Sequence, residues 1–307
     1  MTAVEQYGTA AGLIERSAAA FVSGVPEKPA DDGFFGPGSV TWRASGDIAS
    51  PVAGLRSLMM QALHPLAMAG VDQHSDWRRD PVGRLAATSA YVTTVSFGER
   101  AAAHRAAERV RRIHSRVRGT DTETGRRYAA SDPALLLWVH AALVESGLAV
   151  GRLFGTALSP QDSDQYVAEM VVAAELVGVP EGLVPSSAGE LDSYITSVRP
   201  ELRCTPAARE SMAYLLDPPG LDEDVAELWQ DIRYAAVAAL PGWAQQMYGY
   251  DVPPLTPARR DEVRQVLGIL DAVFLGEPGV LEARQRIAAR VRAASTGRPA
   301  PAPAHPA

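Results

Sequence analysis

Histidine is the side chain that most readily ligates a metal or moves a proton near neutral pH. This sequence holds six, five of them between His64 and His140 and the sixth, His305, close to the C-terminus. Their neighbours set them apart. Arg111, His114 and Arg118 stand at i−3, i and i+4, which on a helix places both guanidiniums and the imidazole on one face, with Val110 and Val117 alongside. Such a face suits an iron porphyrin, the imidazole ligating the iron, the valines meeting the macrocycle and the arginines pairing with the propionates. It equally suits a solvated basic surface, because Arg105, Arg109, Arg112 and Arg116 crowd the same stretch.

Arg84 and Thr88 form a second pair, i and i+4 on the preceding predicted helix, where Leu85, Val92 and Val95 supply packing. An arginine with a hydroxyl one turn away can steady bound oxygen or a propionate, and it can also serve in a structural ion pair. His64, just before Pro65, and His74, in the Gln73-His74-Ser75 turn, are candidates to form or organise the distal side of a cofactor; His74 also reads as a loop cap. His140, in a stretch with Trp138 and Glu145, reads as a core histidine hydrogen-bonded to a carboxylate.

Helices must position all of these. Apart from a Gly- and Pro-rich segment from Asp31 to Gly38, the sequence runs as Ala- and Leu-rich stretches punctuated by Pro, Gly and Asp. The pattern predicts helices over Val4–Val22, Pro51–Met68, Pro81–Phe97, Glu99–Val117, Pro133–Phe154, Pro160–Leu176, Ala188–Ser197, Pro206–Leu216, Asp224–Leu240, Pro257–Leu275 and Pro278–Ala294. Five of these starts pair a capping residue with proline, at Ser50-Pro51, Asp80-Pro81, Asp132-Pro133, Ser159-Pro160 and Thr256-Pro257. The reading is an all-α, single-domain bundle over residues 1–296. Residues 297–307, rich in Pro and Ala, read as a disordered tail that removes His305 from consideration.

Composition bounds the partners. The chain has 307 residues, of which 47% are hydrophobic, enough for a substantial core; its formal net charge of −7 argues against a general nucleic-acid binder. The single cysteine, Cys204, allows no intramolecular disulfide. The N-terminus places Glu5, Glu15 and Arg16 among alanines rather than a basic start and an apolar run, and no long uncharged apolar stretch follows, so the sequence reads as cytoplasmic with no transmembrane segment.

Three segments carry a resemblance: HPLAMAGVDQHSDWRRDPVGRLAATSAYV (His64–Val92), RRIHSRVRG (Arg111–Gly119) and YAASDPALLLWVHAALVES (Tyr128–Ser146). In this order they resemble the family of the latex clearing proteins, which are rubber oxygenases, and the fungal MpaB-type oxygenases, over residues 34 to 250. The resemblance implies an all-helical fold with a globin-like core, haem b as cofactor, and attack of dioxygen on an isoprenoid double bond. It implies His114 as the proximal iron ligand flanked by Arg111 and Arg118, and places the family's Arg/Thr pair on Arg84 and Thr88. Two departures stand out. Ala87 occupies the position beside the threonine where the rubber oxygenases carry a lysine able to reach the distal side. Gln245 and Gln246 stand where an arginine is expected in the late LPGWAQQMYGY segment.

The resulting expectation is a haem b oxygenase in which dioxygen is activated opposite His114, with Arg84, Thr88 and His64 in catalytic roles and Arg111, His74 and Arg118 binding the cofactor. Its substrate would be a small apolar molecule such as an isoprenoid, a lipid or a secondary metabolite. The rivals are a haem peroxidase, a non-catalytic haem or lipid carrier, and a non-haem metal enzyme. The last lacks the Glu-x-x-His pairs of helical di-iron sites.

Overall fold

Helix starts follow the punctuation. Asp132, Ser159, Thr205 and Thr256 each precede a proline, and each accepts a hydrogen bond through its side chain from a backbone N–H in the first turn of the helix it opens. At Ser50-Pro51 the cap shifts by one residue: Ala49 is the N-cap, and the Ser50 hydroxyl turns back to donate to the Asp47 carbonyl. Asp80 lies outside the described residues.

The computed structural model describes residues 10–75, 77–78, 81–218, 223–277 and 279–296, and the backbone alone for residues 10–14, 81–85, 223–225 and 228. Its first half runs through α1 (Ala10–Gly24), α2 (Val40–Ser45), α3 (Ser50–Ala62), α4 (Pro65–His74), α5 (Pro81–Phe97) and α6 (Arg100–His114). An antiparallel hairpin follows, β1 (Arg118–Thr120) with β2 (Arg127–Ala129), Gly119 standing opposite Tyr128. Then come α7 (Pro133–Leu153), α8 (Pro160–Val177), α9 (Ala188–Val198), a 3-10 turn at Arg199–Glu201, α10 (Pro206–Leu216), α11 (Glu223–Ala238), α12 (Gly242–Tyr248), α13 (Pro257–Leu275) and α14 (Val280–Ser295). The fold is all-α apart from the hairpin.

α7 is the central element. It buries Leu135 to Trp138, Ala141, Ala142, Val144, Leu148 and Val150 against α3 and α8, and Gly147 lets α8 approach, since a Cβ there would stand 2.8 Å from the Tyr166 hydroxyl. Among the described residues it is the one helix long and apolar enough to cross a membrane; 61% of its apolar window is buried in the fold.

Three local features differ from the sequence expectation. The helix predicted over Pro51–Met68 is two helices, because Pro65 disfavours helical backbone at the preceding residue: His64 is extended at φ −85°, ψ 113°, and becomes the N-cap of α4. The helix predicted over Glu99–Val117 ends at His114, since the chain from Arg118 is recruited into the hairpin, where Tyr128 donates to Gln73 Oε1 of α4 at 2.8 Å. The short α2 and α12 have no apolar periodicity long enough to mark them.

The chain ends pair across the molecule. α1 lies along α5 and meets α14, with the Phe21 ring 6.2 Å from Phe97 and 5.8 Å from Phe274. The segments predicted to start at Val4 and to form the tail after Thr296 lie outside the described residues.

Candidate functional site

α6 has two opposite faces. Ala103 and Ala107 are wholly buried and His114 lies half a turn round from Arg105 and Arg112, so the imidazole turns toward α5 and α8 while those arginines face out. His114 is half-buried, and its Nδ1 is buried without a hydrogen-bond partner among the described residues. Burial lowers its pKa below the ordinary histidine value, keeping the ring neutral, the form that ligates a metal.

Arg111 sits beside it and donates from Nη1 to the Leu176 carbonyl at the C-terminus of α8, closing one of the carbonyls that a helix end leaves open. Arg118 is not on this helix face as the spacing suggested. It opens β1, is exposed, and donates to the Ser115 carbonyl at 2.6 Å. Each arginine thus uses one guanidinium nitrogen on backbone and keeps further N–H groups available.

From α5 the structure adds a residue the sequence reading passed over. The Tyr91 hydroxyl is buried without a partner among the described residues, burial pushes its pKa up to about 12, and the nearby Arg111 charge opposes that shift. Tyr91 lies three residues beyond Thr88 and seven beyond Arg84, the spacing of one helix face, and that spacing was the available signal. Thr88 and Ala87 are exposed; the Arg84 side chain lies outside the described residues.

His64 belongs to another neighbourhood. It is 6% exposed, its ring centroid is 6.3 Å from that of Trp138 on α7, and its charged neighbours are Glu201, Arg126 and Asp132. Its Nδ1 is also buried and unpartnered among the described residues, and burial lowers its pKa. His74, at the far end of α4, is exposed with its ring edge against Tyr128 at 6.2 Å. With ten residues in α4 the two histidines stand about 15 Å apart along its axis, so they do not serve one point together.

His140 is a core residue, as read, with burial driving its pKa down to about 4, but its predicted partner is engaged elsewhere. Five residues apart on a helix, His140 and Glu145 project to different sides. Glu145 instead receives Arg56 of α3, at 2.5 Å from Nη1 and 2.9 Å from Nη2. No three His, Cys, Asp or Glu side chains among the described residues converge as a metal-holding group. A small depression between α2, α3 and α7, lined by Asp47, Ser50 and Gly151, shares no residue with the His114 region.

Comparison with curated proteins and with solved structures yields no match. A family model described as "ER-bound oxygenase mpaB/B'/Rubber oxygenase, catalytic domain" matches residues 42–273, from α2 to α13, a span that takes in every candidate residue above and leaves out α1 and α14. With well over half of the chain matched, and with the histidine and arginine segments inside the matched span, the chain belongs to this family of oxygenase catalytic domains.

Proposed function

We propose that the protein is a haem b-dependent oxygenase acting on a small apolar molecule, an isoprenoid, a lipid or another secondary metabolite, with His114 as the protein ligand to the iron. The observation that carries the reading is the buried, unpartnered Nδ1 of a neutral imidazole on the inward face of α6. An unsatisfied buried nitrogen costs about 1–3 kcal/mol and persists where something other than stability requires it.

The residues present fit the cofactor in kind. A porphyrin already supplies the equatorial nitrogens, so one imidazole suffices, whereas a protein-built metal centre draws on three or more side chains, and none converge so among the described residues. Ala103 and Ala107 offer a small-residue wall beside the imidazole. Arg111 and Arg118 retain N–H groups for carboxylates such as propionates. Bound haem would supply the activation of dioxygen.

The chain's own residues set the surroundings. His114 holds a lone pair available while burial keeps the proton off; Tyr91, kept protonated, offers a hydroxyl donor; and the apolar helix faces exclude water from an apolar substrate. Thr88 and Arg84 belong to the same helix as Tyr91, and this reading assigns them hydrogen bonding to oxygen or to the cofactor edge.

Purified protein from haem-replete cells should show an intense Soret band and a b-type pyridine haemochrome, because the single cysteine rules out a Cys-x-x-Cys-His attachment. Colourless protein that also fails to take up added haemin contradicts the reading. A haem carrier is the second reading, favoured by the unpartnered Nδ1 of buried His64, which offers a second imidazole. Rapid carbon monoxide binding by the ferrous protein supports the oxygenase; a spectrum of two strong protein ligands with slow carbon monoxide binding supports the carrier.

A further inference from the structure

The outward face of α6 carries a row of arginines. Arg105, Arg109 and Arg112 follow one another at spacings of four and three on the helix, and Arg116 stands in the turn just beyond its end; all four are exposed and none forms an ion pair with a described residue. Arg127 of β2, also exposed, is likewise without an ion pair among the described residues. Several surface arginines elsewhere find carboxylates, Arg43 with Asp162, Arg78 with Asp72 and Glu210, Arg259 with Asp231, Arg284 with Asp271 and Arg290 with Asp32, while others such as Arg152, Arg199 and Arg292 are exposed and form no ion pair with a described carboxylate. In a chain of net charge −7, acidic partners are plentiful, and this row holds only Glu108 among its cations.

One further residue narrows the partner. Ile113 stands one turn beyond Arg109 on the same side of the helix and is 53% exposed. A large aliphatic side chain among unpaired arginines, on a helix whose opposite face is buried alanine, is the pattern of a helix that lies on a bilayer: arginine stems spread, guanidiniums meet phosphates, and the apolar residue enters the headgroup layer. A nucleic-acid backbone would use the arginines and leave Ile113 without a role.

We propose that this face, Arg105, Arg109, Arg112, Arg116 and Ile113, docks the protein peripherally on an anionic phospholipid surface. The surface potential of such a membrane is complementary to the row, and its interior is a reservoir of apolar molecules. The proposal rests on the outer face of α6 alone, and its test reads no haem signal.

The experiment is flotation of the purified full chain with vesicles of phosphatidylcholine alone and of phosphatidylcholine mixed with phosphatidylglycerol, at low and high salt. Binding to the mixed vesicles alone, released by salt, is the expected result. The combined Arg105→Gln, Arg109→Gln, Arg112→Gln variant should bind roughly fivefold more weakly for each arginine removed. Ile113→Ser should weaken binding while leaving its salt dependence unchanged. Melting temperatures equal to that of the parent confirm that these variants fold. Equal binding to both vesicle types, no binding to either, full binding by the folded triple variant, or binding to soluble polyglutamate or DNA in place of vesicles overturns the proposal.

Discussion

Two buried polar groups in this molecule are treated in opposite ways. Arg56, 1% exposed between α3 and α7, has every nitrogen engaged: Nε donates to the Ala239 carbonyl, Nη1 to Glu145 and the Ser146 hydroxyl, and Nη2 to the other oxygen of Glu145. Between α5, α6 and α8, by contrast, His114 Nδ1 and the Tyr91 hydroxyl lie buried with no partner among the described residues. Arg56 is saturated, because leaving a buried guanidinium nitrogen open costs stability. On the proposed function, the open pair at this helix junction is what a bound cofactor and substrate would meet. Trp42 Nε1, Trp77 Nε1 and His64 Nδ1 are also buried without a partner among the described residues, so what distinguishes this junction is an imidazole and a phenol left open beside the Arg111 charge.

The comparison predicts which substitutions harm the fold and which harm function. The largest loss of stability should come from Glu145→Gln, which strands the buried Arg56 guanidinium: about 3–5 kcal/mol in urea unfolding, with haem uptake per folded molecule unchanged. Loss of haem uptake at unchanged stability would reverse the two assignments.

Acid should come next. His140 has its pKa lowered from 6.5 to about 4 by burial, so it is neutral when folded and takes up a proton more readily when unfolded. Stability therefore falls as pH drops from about 6.5 to about 4, by about 3 kcal/mol for this group, and is fully present above that window. His64 and His114, both lowered by burial, act in the same direction. Urea midpoints measured across that range should slope downward toward acid, and His140→Leu should flatten the slope.

Smaller effects are expected where the polar atom is already open. His114→Ala should change stability by about 1 kcal/mol or less, because the packing it loses is offset by removal of an unsatisfied nitrogen. Tyr91→Phe should stay within about 0.5 kcal/mol of the parent while slowing turnover of an apolar alkene roughly tenfold, since its hydroxyl contributes nothing to the fold that phenylalanine lacks. A marked destabilisation by Tyr91→Phe would show that the hydroxyl is engaged after all.

Much of this was legible in the chain. The caps at Asp132, Ser159 and Thr256 read directly, because a side-chain oxygen before proline satisfies a local demand that tertiary structure does not override. His114 was singled out by its neighbours, and the structure leaves its nitrogen open. Arg118 was misplaced because spacing presumes a continuing helix, while Gly119 allows the Tyr128 hydroxyl within 2.6 Å of where a Cβ would stand, so the hairpin packs where another helical turn would have run. The Arg56–Glu145 pair joins residues far apart in sequence, and its one trace was a carboxylate in the apolar run of α7 that required some cation. Tyr91 was visible in the spacing from Thr88 and went unread because a tyrosine in a helix ordinarily packs.

The most direct test of the central assignment replaces the His114 side chain with a vacancy and offers the missing ligand from solution. His114→Gly should purify with little haem and no ordered Soret spectrum, and millimolar imidazole should restore haem binding and the parent absorption; His64→Gly and His74→Gly, treated alike, should retain haem without imidazole. Full haem occupancy in His114→Gly without imidazole, or loss and imidazole rescue at His64→Gly instead, would contradict the account and move the ligand to the other end of the fold.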